Sequence, residues 1–179
     1  MRRLVSVQSV DDIFSEYKNT PIQSLLEYHN LKFPLETSEK AEILISMCMD
    51  NRKMLRTPDN FAYILRAGGG SVKNSEFKVS FAIGFGGIST IALVAHSHCS
   101  MVNVASKKEK FVSGLVQRAG WNMAAAEKHF EEFSHKFEIG NEIDFVLSER
   151  KRLQLLYPKI LIAPLFYKLE DNLLYLIEE

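Results

Sequence analysis

Cysteine is scarce in this chain, with two in 179 residues, Cys48 and Cys99. That excludes a disulfide framework. In a reducing compartment two isolated thiols are either buried or bound to metal. On composition alone, two inert core cysteines are the better reading. A surplus of one charge is also missing, since 22 Lys and Arg balance 22 Asp and Glu. This argues against nucleic acid as the main partner, because phosphate binding usually leaves an excess of basic side chains. The short basic run Lys107-Lys108-Glu109-Lys110 reads as a solvated helix start. No apolar run approaches the roughly 20 residues that span a bilayer, so no membrane partner is expected. Met1-Arg2-Arg3 opens the chain, but Asp11 and Asp12 arrive before any apolar stretch of a signal peptide. A cytoplasmic location is expected. Repeats, low-complexity segments and linkers are missing too. The length suits one domain over residues 1–179, long enough to bury a sizeable core.

What is present is an alternation of apolar runs and helical patterns. Residues 1–38 read as a helical, partly peripheral arm. Thr20-Pro21 suits an N-cap followed by Pro at the first helical position, and Ile22, Leu25, Leu26 and Leu31 give an apolar face. From residue 41 the pattern changes. Residues 42–48, 61–65 and 90–95 are short apolar runs of the kind buried on both faces of a parallel sheet. Helices are expected over residues 75–85, 107–118, 122–137 and 142–156, with Gly86, Gly87, Gly120 and Gly140 at breaks. Residues 160–163 and 173–177 read as two further strands around a Glu170-Asp171-Asn172 turn. The fold class is therefore α/β, a mostly parallel sheet with helices on both faces and an antiparallel C-terminal edge strand.

In open α/β sheets, ligands gather at the carboxyl ends of the strands. Cys48 ends the first of the three apolar runs, while His96 and Cys99 follow the third. If those strands are neighbours, two thiolates and an imidazole meet in space. Such a set suits zinc and leaves a fourth tetrahedral position open. By spacing alone the two inert cysteines still compete with this reading. Cys48 also opens Cys48-Met49-Asp50-Asn51-Arg52. Asp50 and Arg52 would pair in a tight turn, which keeps the carboxylate ionised at neutral pH. The plainer alternative is an exposed loop salt bridge.

These residues resemble the β-class carbonic anhydrases. That family's Cys-x-Asp-x-Arg motif is matched by Cys48, Asp50 and Arg52, and its His-x-x-Cys motif by His96 and Cys99. Arg66, Gly68 and Gly69 fit the interval, and the likeness runs from about Ala41 to the end. The resemblance implies a zinc-binding core over residues 41–179, with Cys48, His96 and Cys99 as ligands and Asp50 and Arg52 as the catalytic dyad. It implies reversible hydration of carbon dioxide to bicarbonate by a zinc-bound hydroxide. It also implies a homodimer or larger homo-oligomer, with residues 8–30 clasping a neighbouring subunit. In some relatives the aspartate itself closes the zinc site. Two alternatives stand beside the hydratase: a metal-binding relative without that activity, and a hydrolase of carbonyl sulfide or carbon disulfide.

The chain departs from the family pattern at Asn51, Ala67, Ala95, His98 and Ser100. No departure removes a ligand. His98 suits a proton shuttle, a partner to the ligands or a solvated side chain. His29, His129 and His135 carry no motif and are expected on helix surfaces. Met47, Met49, Met54 and Met101 would give either a soft apolar lining or ordinary core packing.

Overall fold

The computed structural model describes residues 3–178; Met1, Arg2 and Glu179 lie outside them. The apolar runs become strands β2 (Ile43–Cys48), β3 (Ala62–Ala67), β4 (Thr90–His96), β5 (Leu161–Lys168) and β6 (Leu173–Glu178), joined by a short N-terminal strand β1 (Arg3–Ser6). The helices are α1 (Pro21–His29), α2 (Glu76–Gly84), α3 (Lys108–Ala119), α4 (Met123–Phe137) and α5 (Glu142–Leu156). The six strands form one sheet in the order β1-β6-β5-β4-β2-β3. Strands β3, β2, β4 and β5 run parallel, whereas β6 is antiparallel to β5 and β1 antiparallel to β6.

Two expectations change here. The antiparallel C-terminal strand was expected at the edge. It lies one place in, because Arg3–Ser6 pairs with Tyr175–Glu178 and takes the edge itself. The arm over residues 1–38 is less helical than expected, and its α1 packs into the core. Its described part contains β1, two 3-10 turns and α1. Ile22, Leu25 and Leu26 are completely buried. Thr20 caps α1 as expected, its hydroxyl accepting from the Ile22 N–H at 3.2 Å.

Sheet alternation sorts the core into two layers. Ile43, Ile45, Met47, Ala92 and Val94 pack with α1 on one face. Leu44, Ile91, Leu93 and Ala95 pack with Val79 and Ala82 of α2 and Val146, Leu147 and Leu153 of α5 on the other. With both faces covered, every residue of β2 and β4 is buried. Helices α3 and α4 pack on each other around Val112, Ala126 and Phe130, a separate small core. Among the described residues, no helix is long and apolar enough to cross a membrane.

Candidate metal centre

Cys48 and His96 are the last residues of β2 and β4, which are hydrogen-bonded neighbours in the middle of the sheet. The register pairs Met47 with Val94, so both strands stop at nearly the same level. The turn after β4 then brings back Cys99, with His98 in a left-handed conformation at φ 55°. Histidine tolerates that region better than branched residues. The Cys48 and Cys99 sulfurs are 3.9 Å apart, and all three ligand atoms lie within 4.8 Å of one another. All three side chains are buried. Cys48, His96 and Cys99 are thus positioned to bind a metal.

The imidazole is set for the same task. His96 Nδ1 lies 2.9 Å from the Ser97 carbonyl, which can only accept, so Nδ1 carries the proton. Nε2 is left with its lone pair, buried and without a hydrogen-bond partner among the described residues. An orphaned buried acceptor beside two sulfurs is costly unless something binds it. A zinc ion satisfies all three: two thiolates at about 2.3 Å in tetrahedral geometry stand roughly 3.8 Å apart, close to the 3.9 Å found. The donor set fits zinc.

The sulfurs are held unequally. The hydrogen bond from Cys99, against the opposing effect of burial, pulls the Cys48 thiol below its ordinary range; the backbone at Asp50 and Gly69 assists. The same hydrogen bond, with burial, pushes the Cys99 thiol up. Gly69 reaches Cys48 because it adopts φ 65°, and a Cβ there would stand 2.6 Å from an Ile139 methyl carbon.

Asp50 and Arg52 form the fork expected of them. Arg52 Nε donates to Oδ1 at 3.0 Å and Nη2 to Oδ2 at 2.6 Å, while the Arg52 backbone N–H meets Oδ1 at 2.9 Å. The Arg52 side chain holds the Asp50 carboxyl well below the usual carboxylate range. Its Nη2 also donates to the His98 carbonyl at 3.0 Å, tying this turn to the one after β4. Asp50 Oδ2 is 4.0 Å from His96 Nε2. The loop salt bridge offered by the sequence is present, and its carboxylate lies beside the three metal-ligand atoms.

Other expectations change. His98 is exposed and its ring meets Glu170 at 2.8 Å. His29 is not on a surface: it is buried, with Nε2 donating to the Asn172 carbonyl and Nδ1 accepting from the Arg56 N–H, both at 3.0 Å. Nor is His129 a plain surface residue, because its ring stacks among Phe111, Trp121 and Phe133. His135 is exposed as expected. The methionines scatter: Met47 is in the core while Met49 and Met54 face solvent. Three neighbours went unread in the sequence. Lys53, buried, donates to the Cys48 carbonyl at 2.9 Å, and burial lowers its pKa to about 8. Glu142 accepts from the Cys99 N–H at 3.2 Å, and Glu170 takes the Ser97 hydroxyl at 3.0 Å. Only the charge of these residues is visible in sequence, not the contact.

No family model and no curated relative matches the sequence. Solved structures do. The carbonic anhydrase of Streptococcus mutans superposes with TM-score 0.59 at 18% identity, over 92% of this chain and 99% of that one. A β-carbonic anhydrase of Trichomonas vaginalis gives 0.59 at 19%, over 86% and 91%. A carbon disulfide hydrolase in its apo form gives 0.55 at 20%, over 90% of each chain. The chain therefore has the fold of the β-class carbonic anhydrases, with three convergent metal-ligand atoms at the carboxyl ends of its central strands.

Proposed function

We propose that this chain is a zinc enzyme that hydrates carbon dioxide reversibly to bicarbonate. The observation that carries the reading is the unpartnered His96 Nε2, converging with both sulfurs while an Arg52-held carboxylate stands 4.0 Å away. Cys48, His96 and Cys99 would hold the ion. Zinc bound there supplies Lewis acidity that brings deprotonation of water to about pH 7. Asp50, ionised throughout the working range, accepts a hydrogen bond from the attacking water and fixes where its lone pair points. Arg52 holds Asp50 on both oxygens, so the carboxylate stays an acceptor turned to the site. With both oxygens held by Arg52, Asp50 would act on the site as a hydrogen-bond acceptor.

The test has two steps. Elemental analysis of purified, reduced protein is expected to give one zinc per chain, and Cys48→Ser is expected to lose it. Stopped-flow hydration is expected to exceed buffer for wild type, and Asp50→Asn to fall by roughly a hundredfold with zinc retained. Zinc present with no rate at neutral or alkaline pH would replace the hydratase with a metal-binding protein lacking that activity. The likeness to a carbon disulfide hydrolase supports a second reading, hydrolysis of carbon disulfide or carbonyl sulfide at the same residues. Sulfide release from those substrates, without carbon dioxide hydration, would favour it.

The chain is further proposed to act as one domain, since Arg3–Ser6 completes the sheet that carries the site. A cytoplasmic setting suits it, because thiols 3.9 Å apart bind metal only while reduced. A homodimer is proposed from one face. Helix α2 and its C-cap expose Phe77, Phe81 and Phe85 as a ladder, with Phe81 and Phe85 stacked at 4.9 Å. Beside it, Tyr63 projects from β3, the sheet's open edge, whose Ile64 is exposed on the alternate side. Their exposed area, roughly 600 Å² at about 200 Å² per large side chain, reaches about 1,200 Å² when two copies meet, the lower bound for a stable interface.

A further inference from the structure

Helices α3 and α4 and the loop after Cys99 enclose a cavity separate from the metal centre. It is a half-enclosed cavity of about 230 Å³, its wall almost wholly apolar. Met101, Val104, Phe111, Phe130, Phe133 and Phe137 supply most of that wall. The cavity is held in shape by polar ties outside it. Lys108 Nζ bridges α3 to Glu131 of α4 at 2.8 Å. The Ala105 N–H donates to Glu138 at 2.9 Å, and the Ile139 N–H to the Met101 carbonyl at 2.8 Å. The cationic groups nearby are already engaged. Lys107 Nζ donates to the Asn103 carbonyl at 2.6 Å, and Lys136 Nζ sits 4.6 Å from the centre of the Phe133 ring.

We propose that this cavity binds a small, neutral, aromatic or branched apolar molecule. Size sets the class. An apolar cavity of about 150 Å³ stays dry and takes one benzene. The 230 Å³ here suits a bicyclic molecule of about nine or ten non-hydrogen atoms by the same scaling. Chemistry sets the charge: the phenyl rings offer faces and edges for offset or edge-on stacking, and an ion would lose its water against a wall almost wholly apolar. The space is half-open to solvent, so a ligand could reach these rings directly. Met101 links it to the metal centre. Its side chain lines the cavity and its sulfur stands 3.5 Å from where a Cβ on Gly68 would lie, while its backbone N–H donates to the Cys99 sulfur. The ligand would sit against Met101, two residues from Cys99. The proposal does not depend on which reaction the metal site performs.

The experiment uses the full chain with methionine methyls labelled for NMR, titrated with indole as the probe. One resonance, assigned to Met101 by its loss in Met101→Leu, is expected to shift saturably, while those of the exposed Met49 and Met54 stay fixed. Val104→Phe, which fills the cavity from the loop side, is expected to weaken binding at least tenfold. Ser134→Phe fills it from α4 and serves if the first variant does not fold. The anionic indole-3-carboxylate is expected to bind at least tenfold more weakly than indole. The proposal is overturned if Met101 does not respond up to the solubility limit, if both filled variants bind like wild type, or if the anion binds as well as indole. It is equally overturned if indole binds only on dilution to monomer, since a second copy of the chain would then be the natural occupant.

Discussion

Arg52 shows how much depends on the shape of one side chain. Its guanidinium meets both oxygens of Asp50 and, with the same Nη2, the carbonyl of His98. A planar fork can do this, but a lysine, with one ammonium on a flexible stem, cannot hold two oxygens in plane and a third contact. Arg52→Lys is therefore expected to keep zinc and the fold while lowering the hydration rate about tenfold, the carboxylate being still charged but poorly aimed. Stopped-flow rates alongside metal content check this, and an unchanged rate would remove Arg52 from the proposed machinery. The residues of this centre were legible because they fall in two short segments. Cys48, Asp50 and Arg52 follow one strand, and His96 and Cys99 follow another, so local spacing carries most of the geometry. Lys53, Glu142 and Glu170 were not legible. Two of them arrive from loops or helices far along the chain, and Lys53 is buried by what packs over it, which its sequence neighbours do not reveal.

At the scale of elements, the strands buried on both faces were the easiest to read, because continuous apolar runs leave little choice. The four-residue β1 was not, being too short for any period to appear and depending on β6 for every partner. Helix α1 was read correctly in position but wrongly in setting, and His29 is the reason. It lies at the end of an amphipathic helix, where a polar residue is expected in water. Instead it joins α1 to the β5–β6 turn through Asn172 and to the segment after Arg52 through Arg56. Burial is the main cause that lowers its pKa from 6.5 to about 4, with the charges of Lys32 and Arg56 assisting. The folded state holds His29 neutral, with Nδ1 as acceptor, whereas the unfolded chain takes up a proton near pH 6.5. Between those values the unfolded state binds more protons, so stability is complete above about pH 6.5 and falls as pH drops towards 4. The loss from this residue is about 3 kcal/mol at about 1.4 kcal/mol per pH unit. Urea midpoints measured across that range are expected to fall more steeply for wild type than for His29→Gln, which is less stable at neutral pH but lacks this titration. Parallel slopes for the two proteins would show that His29 is not the group responsible.

For the whole molecule, the open question is which surfaces are surfaces at all. The sheet's two edges differ. One ends in β1, with charged Arg3 and Glu178 facing each other at 3.6 Å. The other ends in β3, whose outer backbone groups pair with no strand among the described residues and whose Tyr63 stands beside the α2 phenylalanines. Charged edges resist pairing, and apolar edges invite it. Phe77 and Phe85 are each about 80% exposed, a density of aromatic surface that a soluble monomer rarely tolerates. Gly86 sharpens the point: a Cβ there would stand 2.7 Å from the Tyr63 ring, so the backbone end of α2 is drawn down onto β3 and the two apolar elements make one continuous face. A twofold contact through this face would bury the ladder against its own copy. Sedimentation equilibrium is expected to find a dimer for wild type. Phe77→Glu with Phe81→Glu is expected to give a monomer, since the two carboxylates per chain would face each other across the axis in a drying interface. The substitutions lie at exposed positions, so the variant should keep its fold and its metal. A wild-type monomer at high concentration, or a dimer that survives both substitutions, would mean that copies of this chain do not meet on this face.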